Sequence, residues 1–135
     1  MKLTLYADGG ARGNPGPAGC GVVIYDSQNK IIGEYTKFLE KATNNQAEYE
    51  ALVLGLQKAK GLKAKEIDCY SDSQLVVEQL SQRYKIKNPE LGSLFIKIWN
   101  LSQYFKKVSF RHIPREKNKL ADKLVNQAIN EGLSR

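Results

Sequence analysis

Three successive runs of strand-like sequence, followed by strands that alternate with helical segments, leave this chain few folds to adopt. Lys2–Asp8 alternates apolar and polar residues and breaks off at the Gly/Pro-rich stretch from Gly9 to Pro17. Gly19–Tyr25 and Lys30–Phe38 are the next two strands, joined as a hairpin through Asp26-Ser27-Gln28-Asn29-Lys30. Thr43-Asn44-Asn45-Gln46 has the spacing of a capping box and predicts a helix reaching to about Lys60. Glu66–Ser71 reads as a short strand, Ser73–Leu80 as a short helix, Leu91–Tyr104 as a third helix and Lys107–His112 as a fifth strand. The last helix spans Lys119–Glu131, where Leu120, Ala121, Leu124, Val125, Ala128 and Ile129 recur at helical spacing. The pattern implies an α/β domain over residues 1–135. Its five-stranded mixed sheet has three antiparallel strands, then two parallel ones, with helices on both faces.

Charge narrows the partner. The chain carries 21 Lys+Arg against 14 Asp+Glu, a formal net charge of +7, which suits a polyanion and above all nucleic acid. Cys20 and Cys69 each sit in an apolar strand run and read as buried free thiols, and a zinc site is excluded for want of further ligands. No N-terminal segment resembles a signal peptide, and no run of about 18 apolar residues is available to cross a membrane. The expectation is a cytoplasmic monomer with no membrane partner.

Against this basic background, four acids occupy inward-looking positions. Asp8 closes the first strand, where open α/β sheets place ligands beyond the carboxyl ends. Glu48 shares the helix line Leu52, Gly55 and Ala59, an apolar line, although a first-turn Glu is also favoured by the helix dipole. Asp72 ends the fourth strand, either as an inward carboxylate or as the cap of the next helix. Asp122 shares the line of Val125 and Ile129 in the first turn of the last helix. Asp68 lies near the start of its strand and is expected at the far edge of the sheet. Glu34, Glu40, Glu50, Glu66, Glu78, Glu90, Glu116 and Glu131 read as solvated charges. Carboxylates gathered inside a protein are costly unless cations neutralise them, so the set points to divalent metal.

These residues lie in motifs with a known order. The segments Asp8–Gly19, Thr43-Asn44-Asn45-Gln46-Ala47-Glu48, Ser71-Asp72-Ser73-Gln74 and Asn118-Lys119-Leu120-Ala121-Asp122 resemble the ribonuclease H type 1 family, and the resemblance runs from Lys2 to about Ile129. It implies the ribonuclease H-like fold and hydrolysis of the RNA strand of an RNA–DNA hybrid, leaving 5′-phosphate and 3′-hydroxyl ends. Two Mg²⁺ ions, about 3.5–4 Å apart in such sites, would flank the scissile phosphate, with Mn²⁺ as a substitute. By the resemblance Asp8 bridges both ions, Asp122 completes the nucleophile side, and Glu48 with Asp72 completes the leaving-group side. Substrate contacts map to Gly10, Ala11, Arg12, Asn14, Asn44, Asn45 and Gln74. A DNA-strand phosphate pocket maps to Lys41, Thr43 and Asn88, with Thr43 also the expected helix cap.

Two departures stand out. Many type 1 members carry a His in the loop before the last acid, whereas this loop reads Pro114-Arg115-Glu116-Lys117-Asn118. Arg115 is the candidate stand-in, able to orient a phosphate but not to act as a base, or else a loop charge on the backbone of the nucleic acid. His112, the only histidine, reads as structural. The basic helical protrusion of longer members is also missing, as in shorter, archaeal-like forms. Hybrid affinity is then expected from Lys37, Lys41, Arg83, Lys85, Lys87 and the Lys106–Arg111 stretch, with strong salt dependence. Two other readings stand beside the hybrid nuclease: an integrase or junction nuclease on the same fold, and a hybrid-binding module without turnover.

Overall fold

The computed structural model describes residues 1–82 and 85–135. Its elements run β1 (Lys2–Ala11), β2 (Gly16–Tyr25), β3 (Ile31–Ala42), α1 (Asn44–Gly61), β4 (Glu66–Ser71), α2 (Gln74–Leu80), α3 (Pro89–Ser102), β5 (Lys107–His112) and α4 (Lys119–Leu133), with a 3₁₀ turn at Arg115–Lys117. The five strands form one sheet in the order β3-β2-β1-β4-β5. The β1–β2 and β2–β3 pairs are antiparallel, and the β1–β4 and β4–β5 pairs are parallel. This is the mixed sheet that the sequence predicts.

The two faces are built differently. Leu3, Leu5 and Ala7 of β1 and Cys20, Val22 and Ile24 of β2 join Tyr49, Leu52 and Leu56 of α1, together with Leu91 and Ile98 of α3, in the main core. On the opposite face, glycines replace side chains so that α4 can lie close. A Cβ at Gly21 would sit 2.3 Å from the Ala121 carbonyl oxygen, and one at Gly19 would sit 2.9 Å from that of Val125. The apolar stripe of α4 (Ala121, Leu124, Val125, Ala128 and Ile129) is buried there.

Strand ends depart from expectation. β1 does not stop at Asp8, and the glycines that follow continue it to Ala11 against β2, which itself begins at Gly16 rather than Gly19. Glycine was read as a strand breaker, but here it serves close packing: a Cβ at Gly9 would lie 2.2 Å from the Ala47 carbonyl carbon. What does end near Asp8 is the pairing with β4, whose last partners are Ala7 and Ser71. α3 starts two residues early because Asn88 caps it and Pro89 takes the first helical position.

Candidate active site

Asp8 lies where β1 keeps its partner β2 but has run past the end of β4. α1 crosses this point on one side, tied by the capping box in which Gln46 N donates to Thr43 Oγ1 and Thr43 N donates to Gln46 Oε1. The cap fixes the helix start, and Glu48 follows on the turn that meets Gly9. Glu48 is therefore a second-turn residue, since no acid occupies the first turn of α1. Asp72 leaves the end of β4, and the cap of α2 is not Asp72 but Ser73, whose Oγ accepts from Val76 N. Asp122 stands in the first turn of α4.

One carboxylate oxygen from each of Asp8, Glu48 and Asp72 lies within 4.8 Å of the other two. Asp8 and Glu48 are buried, 6% and 9% exposed. Asp122 lines the same groove of about 500 Å³, with Gly10, Ala11, Arg12, Asn44, Asn45 and Arg115 around it. Ser71 Oγ donates to Glu48 Oε2 at 3.4 Å and accepts from Ser73 N at 3.1 Å. Asn118 is buried, donates its side-chain amide to the Ala7 carbonyl at 2.9 Å, and so ties the start of α4 to β1. Neither Ser71 nor Asn118 was singled out from sequence, although Asn118 stands one helical turn before Asp122.

The cluster resists its own charge. Burial, then the negative charge of Asp72, pushes Asp8 up to about 7. Glu48 is raised well above the ordinary glutamate value by burial first and then by Asp8 and Asp72, with the Gly9 amide a small offset. Burial also raises Asp72, while the Asn118 amide and the Arg115 guanidinium pull it back down. Asp72 Oδ2 is buried without a hydrogen-bond partner. Crowded oxygens of this kind, short of positive partners, fit a hard divalent cation, which takes oxygen ligands and water.

Other predicted site residues fall elsewhere. Asn14 and Asn44 bind each other's segments: Asn44 N donates to Asn14 Oδ1, and Ala11 N donates to Asn44 Oδ1. Thr43 Oγ1 and Asn88 Oδ1 both cap helices, and with exposed Lys41 they lie outside the lining of the groove. Gln74 is exposed at the start of α2 and does not line the groove either. Asp68 is held at the far end of the sheet by Lys2 at 3.3 Å and by the Ser109 hydroxyl. Of the acids read as solvated, Glu50 pairs with Lys37 at 3.4 Å and Glu90 accepts from the Gln46 side chain. Cys20 and Cys69 are buried free thiols. Among the described residues no helix is long and apolar enough to cross a membrane. Arg83 lies outside the described residues.

A family model described as "Reverse transcriptase-like" matches residues 6–128. The bifunctional protein Rv2228c of Mycobacterium tuberculosis is 42% identical over 131 residues, 96% of this chain and 36% of that protein. The solved N-terminal ribonuclease H domain of that protein superposes with a TM-score of 0.92, covering 96% of this chain and 99% of that one. Ribonuclease HI of Halobacterium salinarum is 38% identical over 96% of this chain and 65% of the relative. The crystal structure of ribonuclease H1 from that archaeon covers 97% of this chain and 99% of its own, with a TM-score of 0.95. LC11-RNase H1, solved in complex with an RNA/DNA hybrid, is 43% identical with a TM-score of 0.93, covering 97% of this chain and 99% of that one. The chain spans 36% of the length of the mycobacterial relative and 65% of the halobacterial one.

Proposed function

The chain belongs to the ribonuclease H type 1 family, and from that membership we propose that it is an endonuclease hydrolysing the RNA strand of RNA–DNA hybrids. The products would carry 5′-phosphate and 3′-hydroxyl ends. The observation that carries this reading is the set of three carboxylate oxygens within 4.8 Å of one another on the floor of an open groove.

Asp8, Glu48, Asp72 and Asp122 would hold two Mg²⁺ ions, or Mn²⁺ in their place. When bound, such cations acidify water and offset the charge that builds on the phosphate oxygens. Around them the chain supplies position. Gly10, Ala11, Arg12, Asn44 and Asn45 all line the groove, and their peptide and amide groups are the proposed substrate contacts. Such groups can meet a 2′-hydroxyl, the atom that separates RNA from DNA. Asn14 acts behind them by holding Asn44, and Gln74 is assigned a contact at the outer rim.

Arg115 enters the groove beside the acids. Its guanidinium holds a phosphate oxygen in a fixed fork and takes no proton at neutral pH. Lys41 is the charged member of the DNA-strand pocket, with Thr43 and Asn88 shaping it while they cap their helices. All these residues come from one chain, which fits a monomer. Buried thiols at Cys20 and Cys69 fit a cytoplasmic setting.

End-labelled hybrid incubated with Mg²⁺ or Mn²⁺ tests the reading, beside Asp8→Asn and single- and double-stranded controls. Metal-dependent cleavage confined to the RNA of the hybrid, and lost in the variant, is expected. Binding without cleavage under either metal would overturn it in favour of a silent binding module.

A further inference from the structure

α4 covers only part of its face of the sheet. Past its N-terminus, the register sets Val23, Tyr6, Tyr70 and Arg111 side by side on β2, β1, β4 and β5. The next row is Tyr25, Thr4, Asp68 and Ser109. Tyr6 and Tyr70 stack with ring centroids 5.0 Å apart and planes 17° from parallel, and Tyr25 meets Tyr6 edge-on at 5.4 Å. None of the three rings is buried. Three part-exposed tyrosines on an open sheet face do nothing for the core, which lies on the other side.

Between these rings and the start of α4 lies a cleft of about 160 Å³, lined by Tyr6, Tyr25, Val23, Lys117 and Leu120 among others. A space of roughly 150 Å³ is the size of one benzene-like ring, and this cleft, open on one side, joins ring faces and apolar side chains to the polar Lys117 and Asn118. The 3₁₀ turn Arg115–Lys117 is the wall shared by the two openings, with Arg115 lining the acidic groove and Lys117 lining the tyrosine cleft. Tyr6 and Asp8 are two residues apart on the same side of β1. A strand leaving the groove past Arg115 therefore meets the cleft next.

We propose that this cleft is a nucleobase-stacking subsite for single-stranded nucleic acid continuing from the catalytic groove. The charges complement such a ligand. Lys117 is exposed and lines it, Arg111 is exposed in register beside Tyr70 and donates to the Ser109 hydroxyl, Asp68 is already met by Lys2 and Ser109, and Glu66 lies in register between Lys2 and Lys107. Ring faces accept any base, and the nearby cations follow the phosphates, which is how sequence-tolerant single-strand sites work. The proposal rests on the hybrid-cleaving reading for the origin of the strand, but the cleft can be tested alone.

The experiment measures anisotropy of labelled oligothymidylate, blunt hybrid, and hybrid with a single-stranded extension, all with metal chelated. Tyr25→Ala is expected to weaken oligothymidylate and the extended hybrid roughly tenfold and to leave the blunt hybrid within about twofold. Tyr25→Phe should retain binding, and Lys117→Glu should lose it. On wild-type protein, ring resonances of ¹³C-labelled tyrosine should shift as oligothymidylate is added, a readout independent of whether any variant folds. Unchanged resonances, or equal weakening of blunt and extended hybrids in Tyr25→Ala, would overturn the subsite. Cleavage of blunt hybrid by the wild type reports separately on the catalytic reading, so either idea can fail without the other.

Discussion

Asn118 and Ala7 are 111 residues apart in sequence, yet the Asn118 amide donates to the Ala7 carbonyl at 2.9 Å in a buried setting. The bond pins the turn that launches α4 to the strand that carries Asp8, and so fixes Asp122 relative to Asp8. Asn118→Ala is expected to lower stability by about 1–3 kcal/mol, the range for stranding a buried polar partner. It should also depress kcat at saturating Mg²⁺, because the two carboxylates are no longer held together. Thermal denaturation and steady-state cleavage of hybrid check both. A loss of stability with kcat intact would show that the tie is structural only.

Asp8→Asn is expected to abolish cleavage and, in metal-free buffer near pH 7, to raise the melting temperature. It removes one charge from three crowded carboxylates. Mg²⁺ should stabilise the wild type and stabilise the variant much less. Paired melting curves with and without Mg²⁺ decide it, and equal stabilisation of both proteins would remove Asp8 from the binding site.

Metal-free stability should fall as pH rises from about 4 to about 7. Asp8 is raised from 3.8 to about 7 in the folded state, and Glu48 moves the same way. The native state therefore binds protons more tightly than the unfolded one. Its contribution to stability is fully present below the unfolded value and is lost as pH passes the folded one. Denaturant titrations across this window should show the slope, and saturating Mg²⁺ should flatten it. A rise in metal-free stability over the same range would contradict the assignment.

Gly21→Ala places a methyl 2.3 Å from the Ala121 carbonyl oxygen and 2.7 Å from Leu124 Cβ. Helix backbone cannot yield locally, so α4 must lift from the sheet. A loss of about 1–3 kcal/mol is expected, with activity falling further than stability because Asp122 rides on the same turn. Gly61→Ala, where a Cβ meets nothing within 4 Å, is the control.

Much of the fold was legible because local signals agreed. The capping box at Thr43 announced α1, and the stripe Leu120–Ile129 announced α4. The inward line of Glu48 was legible for the same reason. What stayed hidden depended on distant partners. Nothing local to Gly9 says that its missing Cβ makes room for Ala47, so the strand was ended one residue before it. Asn88 carries a group that suits either a phosphate or a helix end, and only the finished geometry shows it capping α3. Asn118 lies in a motif that says nothing of its role, because its acceptor, the Ala7 carbonyl, belongs to the first strand.

Arg115→Ala is expected to lower kcat roughly tenfold or more, since a guanidinium on a phosphate acts through charge-assisted hydrogen bonds. Arg115→Lys should recover only part of that loss. His112→Ala should leave the rate-against-pH curve between about pH 6 and 9 unchanged in shape. An inflection in the wild-type curve that is absent in His112→Ala would transfer the catalytic role from Arg115 to the imidazole.

β1 outruns β4 by four residues, from Asp8 to Ala11, while remaining zipped to β2. The groove is thus a split in a sheet, and part of its rim is bare polypeptide. A surface composed of peptide groups looks much the same whatever side chains the chain carries there. Point mutation can erase the acids one by one, but apart from Gly9, whose missing Cβ makes room for Ala47, it has little purchase on that rim, which otherwise changes only if the strand itself is broken or shifted in register.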